Sequence, residues 1–311
     1  MAAPSGSGAS PGALARPPAA DLAWLGIAVL FISSSGPIIA ATVAPALAIA
    51  FWRCFLGSAA TSLVVIARHV DEVRRMTRRE WWLVASAGLL LGAHFATWIP
   101  SLRFTTVASS TALVATQPVW AALIARQRGA RIPRTAWVGI TVSLVGVLVL
   151  TGVDISVDPR HLIGDLLALA GAVLAAAYVT VAESARRTVS TATMTAGLYA
   201  SAGMLLLVLC IVGRQPLTGY SLNAWLLIIA LTAGAQLLGH TLINKVLATT
   251  SATVVSLAIL FEMPGATIIA AIALGQLPPW GLIPAVVLMF AGIVMVIRAG
   301  SRDVPTEISP V

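Results

Sequence analysis

The sequence predicts an all-α membrane protein of ten transmembrane helices, arranged as two inverted five-helix repeats. Three observations carry that prediction. Of 311 residues, 59% are hydrophobic and only 10% charged, well below the roughly one quarter charged in a soluble domain. Apolar runs begin near Leu22, Ala46, Trp81, Phe104, Trp137, Leu162, Thr193, Ala224, Thr250 and Trp280, and each is close to the ~20 residues that cross a bilayer core. The chain also matches itself when slid by 146 residues, so that Pro118 falls on Pro264.

Residues 1–20 are rich in Pro, Ala, Gly and Ser, a composition that reads as a disordered tail. A single arginine ahead of a long apolar run argues against a cleaved leader. The first repeat is expected over 21–153 and the second over 162–298, with a cytoplasmic tail at 299–311. Alternate loops sort the basic residues, as cytoplasmic loops should. With the amino terminus inside, the inner set is Arg16, the clusters at 68–79 and 126–134, Arg186, Arg187, Lys245, Arg298 and Arg302. That gives fifteen basic residues, against Arg53, Arg103, Arg160 and Arg214 outside, where Asp154 and Asp158 also fall. Both termini are therefore expected in the cytoplasm and the chain in the plasma membrane. Sorted loop charge explains the formal net charge of +8, and no basic stripe with interleaved aromatics suggests nucleic acid. Cys54 and Cys210 both lie in apolar runs and form neither a disulfide framework nor a metal site.

Along the spans, polar residues mark a candidate pathway. The first span holds Ser34, Ser35, Gly36 and Pro37 within SSSGP, a candidate helix break and hinge. In the second, Arg53 is read as snorkelling toward headgroups, with attraction of an anionic solute at the outer mouth as the alternative. The third places His94, Trp98 and Ser101 on one face, and Trp98 offers a cation-π wall. In the eighth, Thr232, Gln236, His240 and Asn244 recur every four residues and share a side that drifts slowly. The ninth carries Glu262 near mid-membrane, where an acid costs about 2.5–3.5 kcal/mol on insertion scales. Such an acid usually faces a bundle interior or an ion pathway, with structural pairing as the alternative. Pro118 and Pro264, with Gly265, are candidate gate hinges. Histidine titrates near neutrality, so Glu262 with His240 or His94 is a candidate proton-coupling pair. Trp81, Trp82 and Trp280 are expected in an interfacial belt.

The 146-residue shift also pairs His94 with His240, Gly129 with Gly275, Pro133 with Pro279 and Gly146 with Gly292. Five spans per repeat is an odd number, so the second copy enters from the opposite side. Inverted repeats of this kind are characteristic of secondary transporters.

Several stretches, taken in order, resemble the EamA-type ten-helix proteins of the drug/metabolite transporter superfamily. They are IAFWRCFL (49–56), the run from AHFATWIP through QPVWAALIA (93–125), GDLLALAGAVLAAAYV (164–179), GHTLIN (239–244) and FEMPGATIIAAIALGQLPP (261–279). The resemblance implies two five-helix halves that move small metabolites such as amino acids or drugs, with export the implied direction. Family members often have an acid after the glycine closing the fourth and ninth helices; here Ala130 and Gln276 stand there, so that acid's role is not carried over. The expected function is secondary active transport by alternating access, with an uncoupled facilitator as the rival. An embedded enzyme would need a denser cluster of catalytic groups. No cofactor is expected. The partners are a small-molecule solute, the bilayer and coupling protons, with a homodimer left open.

Overall fold

The computed structural model describes residues 17–101, 104–105, 107–151, 159–274 and 280–300. Arg16, Arg103, Asp154, Asp158, Gly275, Gln276, Pro279, Arg302 and most of the two expected tails lie outside them. The described residues are helical throughout their length apart from short connections. Eight helical segments are long and apolar enough to span a membrane. The ten-span order follows once two more are added: the fourth, Val107–Val114 plus Gln117–Gln127, and the fifth, Arg134–Thr151. The others are the first (Ala19–Ile32 and Ser35–Ala41), second (Ala46–Arg68), third (Arg78–Ser101), sixth (Pro159–Ala185) and seventh (Thr191–Val212). The eighth runs from Leu222 to Val246, the ninth comprises Ala252–Ile259 and Glu262–Leu274, and the tenth is Leu282–Gly300.

Local chemistry explains where these helices start. Thr77 and Glu80 form a reciprocal capping box before the third, Thr77 N donating to Glu80 at 2.7 Å and Glu80 N to Thr77 Oγ1 at 3.3 Å. Ser190, Ser221 and Ser251 accept from the backbone N–H three residues on and cap the seventh, eighth and ninth. Prolines explain the breaks. Pro37, Pro118 and Pro264 have no N–H to offer the carbonyls of Ser33, Val114 and Leu260. The first span is interrupted at Ser33 and Ser34, the fourth at Ala115 and Thr116 just after Val114, and the ninth at Leu260 and Phe261.

Packing repeats under exchange of the halves. The second span packs on the seventh, the fourth on the ninth and the fifth on the tenth. The third lies against the sixth as the eighth lies against the first, and the third touches the seventh as the eighth touches the second. Small residues permit the close approaches. A Cβ on Gly139 would sit 2.7 Å from the Gly292 carbonyl, and one on Gly292 would sit 2.4 Å from the Gly139 carbonyl. Thr105 donates to Asp165 of the sixth span at 2.6 Å, and Thr250 donates to Asp21 of the first at 3.0 Å. These two latches occupy corresponding places in the two repeats. Large apolar side chains such as Leu30, Leu63, Ile211 and Phe290 face outward, as a hydrocarbon solvent permits and water does not. Trp81, Trp82 and Trp280 are exposed.

Candidate functional site

The polar centre of the molecule is organised by Arg53. It is the eighth residue of the helix Ala46–Arg68, which puts it roughly 10 Å along the helix at 1.5 Å per residue. It has no solvent exposure at all. Snorkelling is therefore corrected: the side chain turns into the bundle instead of reaching the headgroups. Its Nε donates to Gln236 Oε1 at 2.8 Å and its Nη1 to Ser35 Oγ at 3.3 Å, and the guanidinium lies 4.7 Å from the Phe95 ring centroid. Its Nη2 is buried without a partner among the described residues. Room for Gln236 comes from Gly57, one turn beyond Arg53, where a Cβ would approach the Gln236 side chain to 3.1 Å.

Aromatic rings surround this charge. His94 stacks nearly parallel on Trp98, with centroids 5.8 Å apart and planes 7° apart. Its Nδ1 lies 2.9 Å from the Gly171 carbonyl on the sixth span. A carbonyl only accepts, so Nδ1 carries the proton, and a neutral ring then leaves Nε2 as an acceptor. Phe95 touches His240 edge-on at 6.1 Å between centroids. His240 Nδ1 and Trp98 Nε1 are buried with no hydrogen-bond partner among the described residues.

Glu262 is the first residue of the second half of the ninth span, just past the break at Leu260 and Phe261. Its side chain is only partly buried and makes no hydrogen bond or ion pair among the described residues. It interacts electrostatically with Arg53 without closing contact. The break also meets the first span: a Cβ on Gly265 would overlap Ser33 Oγ at 2.1 Å. The two interrupted helices therefore touch at their interruptions.

Not every predicted pathway residue joins this cluster. Ser34 folds back on the Phe31 carbonyl at 2.7 Å, while Ser35 supports Arg53. Gly36 borders open space, since an added Cβ meets nothing within 4 Å. Pro37 follows it in the short helix Ser35–Ala41. Asn244 is fully buried and accepts from Tyr178 at 2.6 Å, and its carbonyl accepts from Arg186 at 3.0 Å. That ties it to the sixth span, away from Arg53. Pro118 lies by the fourth-span break, where neighbouring Gln117 donates to Ser256 of the ninth at 2.9 Å.

Two features escaped the sequence reading besides the place of Arg53. Phe95 supplies the ring beneath the guanidinium. The eighth span, in turn, is no uniform α-helix, because Thr232–His240 winds in wide π turns. Thr241 N bonds the Gln236 carbonyl five residues back, and that carbonyl also accepts from Tyr199 at 3.1 Å. A sequence signal existed. Gly234 and Gly239 both face the first span and stand five residues apart, the π repeat.

The arrangement draws Ser35, Arg53, His94 and Trp98 from one half and Gln236, His240 and Glu262 from the other. These residues combine a fixed cation, a carboxyl and hydrogen-bonding groups beside aromatic rings. A solved crystal structure of another protein superposes with a TM-score of 0.77 over 91% of this chain and 98% of its own, at 20% identity. That likeness shows the fold. None of the curated proteins compared matches the chain. The model of the EamA-like transporter family matches residues 21–152 and again 162–298. With apolar helical spans in two repeats around a shared polar centre, the chain is a multi-pass membrane protein that belongs to the EamA-like transporter family.

Proposed function

We propose that the protein is a secondary transporter that exports small organic metabolites across the plasma membrane by alternating access, with both termini cytoplasmic. One observation carries this reading. Both repeats contribute to a buried polar cluster that lies beside interrupted helices. Interrupted helices lining a site at a repeat interface are how transporters expose backbone and side-chain groups to solute. The symmetric packing supports two interchangeable closures, with Pro118 and Pro264 as their hinges and Gly265, Gly36 and Pro37 at the meeting of the first and ninth spans.

Proton coupling is assigned to Glu262. Arg53 keeps its charge under all ordinary conditions, whereas a carboxyl free of ion pairs exists with or without its proton. Arg53 is coupled to it electrostatically, and Cys54, Tyr199, His94 and His240 are coupled in turn to Arg53. The test is a metabolite screen in proteoliposomes with and without an imposed proton gradient. Transport by the wild type is expected to respond to the gradient. Glu262→Gln is expected to insert normally and lose that response; an unchanged pH dependence in the variant would return the reading to an uncoupled facilitator.

A further inference from the structure

We infer that Arg53 is the recognition point for the carboxylate of the transported solute. The inference rests on the transport reading and adds the class of solute. It starts from what the cluster lacks. A guanidinium has five N–H donors; here Nε and Nη1 are placed, and both N–H groups of Nη2 have no acceptor among the described residues. The side chain is entirely buried, so bulk water does not make good the deficit.

The neighbouring orphan has the same polarity. Gln236 is also fully buried and gives its Oε1 to Arg53. The amide cannot be turned the other way, because its NH₂ would then face a donor that has no lone pair. Its Nε2 is therefore fixed as a second unfilled donor. Trp98 Nε1, further along the ring wall, is a third, and indole nitrogen only donates. Three side chains thus present unfilled donors that cannot accept, and the fourth orphan of the cluster, His240 Nδ1, donates or accepts according to its tautomer. The missing occupant is rich in acceptors.

Charge makes it an anion. A buried cation needs a partner, and the one acid coupled to Arg53 stops short of an ion pair. A carboxylate suits the site better than a phosphate. The planar fork of a single guanidinium matches its two oxygens. No second arginine or lysine among the described residues contacts the cluster to balance a dianion. The rings of Phe95, Trp98 and His240 leave an apolar or aromatic wall for the rest of the solute.

The experiment uses matched compounds. Free amino acids and other small monocarboxylates would be compared with their methyl esters and amides, first as thermal-shift ligands of the purified wild type in detergent. Carboxylates are expected to raise the melting temperature in a dose-dependent way, with esters and amides about tenfold or more weaker, as loss of a charged hydrogen bond implies. Arg53→Gln is expected to erase that preference, and Arg53→Lys to keep part of it. Equal stabilisation by acid and ester, or none by any acid, overturns the assignment, and needs no variant to fold. The same panel in proteoliposomes separates the two claims. Movement of esters and amines in place of acids sinks the carboxylate and leaves transport standing. If nothing moves, the transport reading fails while the ligand preference still decides the role of Arg53.

Discussion

The third and eighth spans occupy equivalent places in the two repeats and share a residue pattern: SAG at 86–88 leads to His94, and TAG at 232–234 leads to His240. Their structures differ. The third is an unbroken α-helix from Arg78 to Ser101, and its histidine is tied to the Gly171 carbonyl. The eighth widens into π turns over Thr232–His240, and its histidine Nδ1 has no partner among the described residues. Gly88 and Gly92, four apart, both pack on the seventh span, whereas Gly234 and Gly239, five apart, both face the first. Duplication has preserved the architecture, and the chemistry has become one-sided. The rigid copy builds a wall. The loosened copy leaves Gln236 Nε2, His240 Nδ1 and Asn244 Nδ2 without partners among the described residues, against Trp98 Nε1 alone on the third span.

The sharpest way to break this comparison is to add the same methyl group to both copies. Gly88→Ala would put Cβ 2.3 Å from the Leu198 carbonyl and 2.7 Å from the Ser201 side chain, a clash with backbone that cannot relax locally. A loss of about 1–3 kcal/mol or more is expected, visible as a lower melting temperature and poor yield of monodisperse protein. Gly234→Ala meets only ordinary contacts at 3.8 Å and is expected to cost far less. Equal damage at the two positions would show that the π segment is packed as tightly as the α-helix.

A smaller effect separates the histidines. His94→Ala removes the bond to Gly171 and the ring stacked on Trp98, and is expected to lower stability by about 1 kcal/mol. His240→Ala removes no hydrogen bond at Nδ1, so its folded yield is expected to change little while solute binding weakens. Thermal melts and binding isotherms on the two variants check this. If His240→Ala harmed folding more than binding, the ring would be a packing element.

Much of the fold was legible because its physics is coarse. Span length, loop charge and a proline at matched positions need no tertiary detail, and Glu262 stood out as an acid in hydrocarbon. The same rule applied to Arg53, yet the reading placed it near a helix end, where a long side chain can snorkel. The helix begins at Ala46, which sets the arginine two turns deep. The apolar run already begins at Ala46 in the sequence, so depth was legible; what was not is that Ser35, Gln236 and Phe95 of other spans receive the side chain inside the bundle. The four-residue stripe of the eighth span was real as sequence, but Gln236, His240 and Asn244 meet the second, third and sixth spans respectively. A stripe says which residues share a side, and neighbours decide what each one does.

The central claim is that the cluster around Arg53 and Glu262 opens to water from each side in turn. The most direct measurement replaces Glu262 with cysteine in a protein whose buried Cys54 and Cys210 are changed to alanine. A membrane-impermeant thiol reagent is then applied to sealed vesicles of either orientation. Labelling from both sides, reduced by solute, is the result predicted here. Labelling from one side only, or from neither, would contradict the account.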